Sequence, residues 1–145
     1  MDQISTHKDL LVWQKSVELA SKVYAATTEA PSTNHDGLHA QLRNRAIAVA
    51  SNIAEGAACR RRGEFLKFLQ AARGALLELE TQLMIARHYG LAAEGPFLLR
   101  DISELEHLLN ALMRRLADTA RQAHARACTL EFSATRPHRS ADVAR

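Results

Sequence analysis

Between Phe65 and Ala86 the apolar residues fall at steps that alternate between four and three: Phe65, Leu69, Ala72, Leu76, Leu79, Leu83 and Ala86. That period, close to one turn of an α-helix, puts all of them on one stripe, which a strand with its two-residue alternation cannot do. Leu98, Ile102, Leu105, Leu109, Leu112 and Leu116 repeat the pattern. Two long helices with one greasy side each must hide it against other helices, so helix packing dictates the architecture. A mean step near 3.5 suits neighbours crossing at about 20°.

Two earlier segments complete the set. Leu10, Trp13, Val17, Ala20 and Tyr24 form a stripe on a helix expected at about 8–29, with Thr6 and Asp9 as a capping pair at its start. Pro31, Ser32, Thr33, Asn34 and Asp36 break the chain, and a second helix is predicted at 37–58 with Leu38, Leu42, Ala46, Val49 and Ile53 inward. The third helix is predicted at 63–89, stopped by Gly90, and the fourth at 96–124, started by Gly95-Pro96. The predicted fold is all-α, an antiparallel up-down-up-down four-helix bundle over residues 1–124. Residues 125–145 are predicted to be a basic, flexible tail.

Composition agrees and excludes several classes. A chain of 145 residues is one domain's worth, and few prolines and glycines favour helix. No stretch approaches the roughly 18 uncharged apolar residues of a membrane span, so a cytoplasmic protein without membrane contact is expected. Cys59 and Cys128 lack CxxC partners and read as free thiols. Of the net charge of +3, residues 114–145 alone carry +4, which puts the basicity in the tail.

Some apolar residues exceed what one bundle core needs. At about 100° per residue, Val12, Leu19 and Val23 fall opposite the Trp13/Val17 stripe, and Leu66, Leu77 and Met84 flank the stripe of the third helix. These six are the predicted oligomer interface, with a second copy as the expected partner.

The chemistry-bearing residues form no catalytic constellation. Glu104-x-x-His107 has the spacing of a di-metal bundle motif, but both point away from the Leu109 stripe and no second copy of the motif exists. His35 and His39 lack a third ligand, as do His124 and Cys128, and all read as surface groups. No nucleophile elbow, phosphate loop or dinucleotide motif is present. The expectation is no enzyme, no cofactor and no metal. Arg43, Asn52, Glu55 and Glu80 are predicted to form a structural polar cluster. Arg60, Arg61 and Arg62, with Lys67, form an exposed basic corner suited to phosphates, without the interleaved aromatics that stack bases.

Asp9-Leu10 with Val12-Trp13-Gln14, Gln41-Leu42-Arg43, Ser51-Asn52-Ile53-Ala54-Glu55-Gly56 and Leu79-Glu80-Thr81-Gln82-Leu83 together resemble the 23S rRNA intervening-sequence family. The similarity spans roughly residues 9–116. It departs at Val49-Ala50, where the family often has Ile-Pro, and at Gly63, where it often has a polar cap. The resemblance implies a small four-helix bundle, sometimes encoded within insertions in bacterial 23S rRNA genes, whose relatives form ring-like homopentamers. It supplies no catalytic residues. More distant relatives of similar shape assist reverse transcriptases, a likeness at the level of fold. The functional expectation is therefore a non-enzymatic homopentamer that binds RNA or a reverse-transcriptase-like nucleoprotein partner through arginine-bearing surfaces. The alternative is a protein-only scaffold or accessory subunit.

Overall fold

In a computed structural model the protein is a succession of four α-helices: α1 at Leu11–Thr28, α2 at Asp36–Ala58, α3 at Arg62–His88 and α4 at Gly95–Ala134. The structure describes residues 6–28, 36–90 and 95–134, and the side chains of all of these except 36 and 128–134. The predicted break at Pro31 to Asn34 and the last part of the predicted tail lie outside the described residues. No strand occurs among those described.

The helix ends follow from local chemistry. A 3-10 turn at His7–Asp9 precedes α1, and here Thr6 and Asp9 form a capping box: Asp9 Oδ2 accepts the Thr6 N–H at 3.0 Å and Thr6 Oγ1 accepts the Lys8 N–H at 3.2 Å. Gly90, at φ 71°, takes the left-handed conformation that ends α3, and its N–H bonds the Arg87 carbonyl at 2.9 Å. Helix α2 runs unbroken through Val49-Ala50, as expected without a proline.

Each helix packs on its neighbours in sequence, and α4 closes the bundle against α1. Across α2 and α3, Gln82 donates to Gln41 at 3.3 Å and Arg45 meets Glu78 at 3.1 Å. As one helix is followed forward, its partners on the other run backward. The same holds for Arg73 with Glu106 and Arg87 with Gly95 across α3 and α4, and for Lys22 with Asp101 and Lys15 with Glu104 across α1 and α4.

The core is formed by Leu42, Val49 and Ile53 of α2, Leu69, Leu76 and Leu79 of α3, and Ile102, Leu105 and Leu109 of α4, all at most 2 % exposed. The contribution of α1 corrects the sequence reading. Val12, Leu19 and Val23, expected at a subunit interface, are 5 %, 2 % and 1 % exposed and belong to the chain's own core. Val17 and Tyr24, expected inside, are 38 % and 43 % exposed.

Two hydroxyls explain the reversal. The true inner stripe of α1 is Val12, Ser16, Leu19, Val23 and Thr27. Ser16 donates to the Trp13 carbonyl at 2.6 Å and Thr27 to the Val23 carbonyl at 2.8 Å, so both are satisfied within the helix and can be buried. Polar letters on the buried side hid the stripe from a hydrophobic count. Leu10, buried at the end of the 3-10 turn, lies outside α1 and sets a false phase for it.

Helix α4 gives the second correction. It does not fade near 124 but continues to Ala134, a length of 40 residues or about 60 Å. From Ala117 to Ala134 there is neither glycine nor proline, and alanine, arginine and glutamine are strong helix formers. The apolar step also persists through Leu116, Ala120, Ala123 and Ala127. Every described side chain from Asp118 to Ala127 is exposed, so this part of the helix stands clear of the bundle.

Truncating Leu19 to Ala is expected to cost about 2–5 kcal/mol of unfolding free energy by urea titration. Val17→Ala is expected to cost less than about 0.5 kcal/mol, in line with surface positions. The reverse ranking would mean that α1 is rotated.

Candidate functional site

The three-residue connection from α2 to α3 carries the arginine corner. Gly56 lies inside α2, whose end at Ala58 is where the sequence reading puts it, and is buried. A Cβ there would come within 2.7 Å of the Phe68 Cβ and 2.8 Å of the Phe65 ring. Only a hydrogen lets these two side chains of α3 press on the last turns of α2, which places the start of α3 beside the end of α2. The Cys59 N–H then bonds the Gly56 carbonyl at 3.0 Å, and the Arg61 carbonyl accepts from Glu64 and Phe65, each at 3.1 Å.

Arg60, Arg61, Arg62 and Lys67 are all exposed. Arg61 is the N-cap of α3, without a side-chain capping bond, and Arg62 is its first helical residue. Positive charge at a helix N-terminus opposes the helix dipole, and Glu64 in the first turn, 4.0 Å from Arg61, offsets it only in part. The arginines therefore do nothing for the helix they begin, and their side chains extend into solvent.

The predicted polar cluster does not assemble. Arg43 donates from Nε to Thr27 Oγ1 at 2.7 Å and lies 5.1 Å over the Tyr24 ring, tying α2 to the end of α1. Asn52, further along α2, bonds the Ala48 carbonyl of its own helix at 2.8 Å. Glu55 is exposed, while Glu80 is half-buried on α3. Nine residues of helix, about 13 Å, separate Arg43 from Asn52, too far for one network.

Of the predicted interface residues on α3, Leu66 is half-buried, whereas Leu77 and Met84 are 39 % and 57 % exposed. They share an outward face with Ile85 and with Tyr89 just past the helix, and a shallow apolar groove is lined by Thr81, Met84, Ile85, His88 and Tyr89. Ile85 and Tyr89 escaped the sequence reading because it followed only the flank of the core stripe. Gly74 lies on this outer face with nothing within 4 Å of a Cβ placed on it. His39, read as a surface group, is instead buried at 8 % exposed, and its Nε2 has no hydrogen-bond partner among the described residues.

Acid and base groups elsewhere are paired for structure. Lys15 bridges Glu104 at 3.6 Å, and Lys22 bridges Asp101 at 2.7 Å and Glu18 at 3.1 Å, linking α1 to α4. The hydrogen bond to Asp101, and after it that to Glu18, raise the pKa of the Lys22 ammonium above the ordinary lysine value. Glu104 and His107 are exposed, and no group of three His, Cys, Asp or Glu side chains is placed to hold a metal among the described residues.

A family model for the 23S rRNA-intervening sequence protein matches residues 8–116. The chain belongs to that family. The match covers α1, α2, α3 and α4 as far as Leu116, and the free-standing part of α4 follows directly after it. No curated protein sequence matches the chain. The segments that carried the resemblance acquire physical roles in this member of the intervening-sequence family. Val12, Ile53, Leu79 and Leu83 fill the core, Gly56 brings α3 close, and Arg43 and Gln82 reach across helices.

Gly56→Ala is expected to destabilise the protein by about 1–3 kcal/mol through overpacking against Phe65 and Phe68. Gly74→Ala, in open space, is expected to stabilise the monomeric chain by about 0.5–1 kcal/mol. Thermal melts of both variants at low protein concentration test the pair.

Proposed function

We propose that this member of the 23S rRNA-intervening sequence protein family is a non-enzymatic, self-associating helical bundle that binds RNA through its arginine corner. The observation that carries the reading is the outer face of α3, where Leu77, Met84, Ile85 and Tyr89 are exposed on the side turned away from the core. Apolar side chains on that scale favour a partner surface. Gly74, a helix-weakening residue without a neighbour in its own chain, is consistent with a second backbone approaching there. A closed ring of five copies is the assembly proposed, on the family resemblance.

Nucleic-acid binding rests on Arg60, Arg61, Arg62 and Lys67, whose exposed positive charges suit counterion release at phosphates. The family's name, which refers to intervening sequences of 23S rRNA, supports RNA as the partner. No titratable or metal-binding arrangement among the described residues supports a catalytic role. A protein-only scaffold is the second reading, favoured by the exposed Tyr89 and Phe97 at the opposite end of the bundle, which suit a polypeptide partner.

Light scattering at micromolar concentration is expected to give a mass of several copies, five for a closed ring, and Leu77→Glu with Met84→Glu is expected to lower it towards one. A monomeric wild type would remove the assembly. Nuclease-treated protein retaining a polypeptide but no affinity for structured RNA would favour the scaffold.

A further inference from the structure

The arginine corner and the free-standing part of α4 lie at the same end of the bundle. Arg73 faces Glu106 at 3.6 Å, and from that level α3 runs back to its start at Arg62 while α4 runs forward by the same number of residues to Ala117. Arg62 and Ala117 are therefore level. Helix α4 carries Arg114 and Arg115 just before this point and Arg121 and Arg126 beyond it, all four exposed.

Their arrangement around the helix is specific. At about 100° per residue, Arg114 and Arg121 fall on one line and Arg115 and Arg126 on another, roughly a third of a turn away. The Arg114/Arg121 line faces away from the stripe of Leu116, Ala120, Ala123 and Ala127, and the Arg115/Arg126 line flanks it on the side turned towards α1. The carboxylates nearby are Glu55 and Glu64 at the corner, the second facing Arg61, and Asp118 and Glu131 along α4, of which Asp118 is hydrogen-bonded by Arg121. Seventeen residues from Asp118 to Ala134 make a straight rod of about 25 Å, with no neighbouring helix over its described side chains.

Charge favours a polyanion at this end as a whole: Arg60, Arg61, Arg62, Lys67, Arg114, Arg115, Arg121 and Arg126 outnumber Glu55, Glu64, Asp118 and Glu131, although the segment from Asp118 to Ala134 alone is formally neutral. Among the described side chains the exposed aromatics, Tyr24, Tyr89 and Phe97, belong to the other end of the bundle, so none of them offers a stacking platform beside the arginines. Arginines on two lines of a straight rod match phosphates fixed at regular spacing on two strands.

We propose that the free-standing part of α4 and the α2–α3 corner together make up a basic end of the bundle that binds the phosphate backbone of a nucleic-acid duplex, with Arg114, Arg115, Arg121 and Arg126 as contacts. The site extends the RNA-binding reading to residues beyond the family match and rests on that reading only in taking nucleic acid as the partner. Recognition is of backbone shape and charge, without base reading.

The test uses the full-length protein, a 20-base-pair RNA duplex, a DNA duplex of equal length and a single-stranded RNA of equal length, each titrated at several salt concentrations. Wild type is expected to bind both duplexes more tightly than the single strand, with affinity falling steeply as salt rises. Arg121→Ala with Arg126→Ala is expected to weaken duplex binding and to flatten the log–log salt slope by about 2, roughly one for each phosphate that an arginine no longer neutralises. Both side chains are exposed, so an unchanged circular-dichroism melt is expected alongside. If that variant binds as wild type while Arg60→Ala, Arg61→Ala and Arg62→Ala together abolish binding, the α4 site is wrong and the corner stands. Single strands bound as tightly as duplexes overturn the duplex assignment, and no binding of any probe by wild type overturns both readings.

Discussion

The close packing of α2 on α3 is the constraint from which the rest of the structure follows. Gly56 has no side chain, and Ala46, Ala72, Ala75 and Ala86 are buried with almost none, so two backbones can approach while Leu42, Val49, Ile53, Leu69 and Leu76 fill the space between helices. The short connection between these helices is a consequence, as is the exposure of three consecutive arginines at its corner. Once α3 is fixed, its outer face is fixed too, and Leu77, Met84 and Ile85 can only point to solvent or to another molecule.

Sequence made the helices and their number plain because long, regular stripes of leucine have one physical solution. It was misleading for α1, where Ser16 and Thr27 look polar in a one-dimensional count but satisfy their hydroxyls on carbonyls of their own helix. The end of α4 was misplaced because the leucines give way to alanines at Ala120, which weakens the hydrophobic signal without weakening the helix. The polar cluster failed for a different reason. Arg43 and Asn52 look close in sequence, but a helix converts their separation into distance along a rigid axis, and each finds a nearer partner. The arginine corner was legible, since three exposed cations between two helices leave little choice; the arginines of α4 beside it depend on helix direction, which spacing alone does not encode.

The exposed aromatics and the arginine corner lie at opposite ends, although Arg87 and Arg100 are exposed at the first and Leu11 at the second. Tyr24, Tyr89 and Phe97 are exposed where α1 and α3 finish and α4 begins, whereas Arg60, Arg61, Arg62, Arg121 and Arg126 gather where α2 finishes and α4 leaves the bundle. Ion pairs such as Lys22 with Asp101 near the aromatic end and Arg45 with Glu78 across α2 and α3 are partly exposed and add little stability each. Under the proposed function, this separation of the ends would keep a protein-binding face and a phosphate-binding corner from competing.

Amide hydrogen exchange on the free protein tests the α2–α3 packing, because it ranks local stability along the chain. The slowest exchange is expected in the inner turns of α2 and α3, around Val49, Ile53, Leu76 and Leu79, with a sharp rise in rate along α4 after Ala117. Fast exchange in the α2–α3 seam, or protection of residues 118–134 equal to that of the seam, would contradict it.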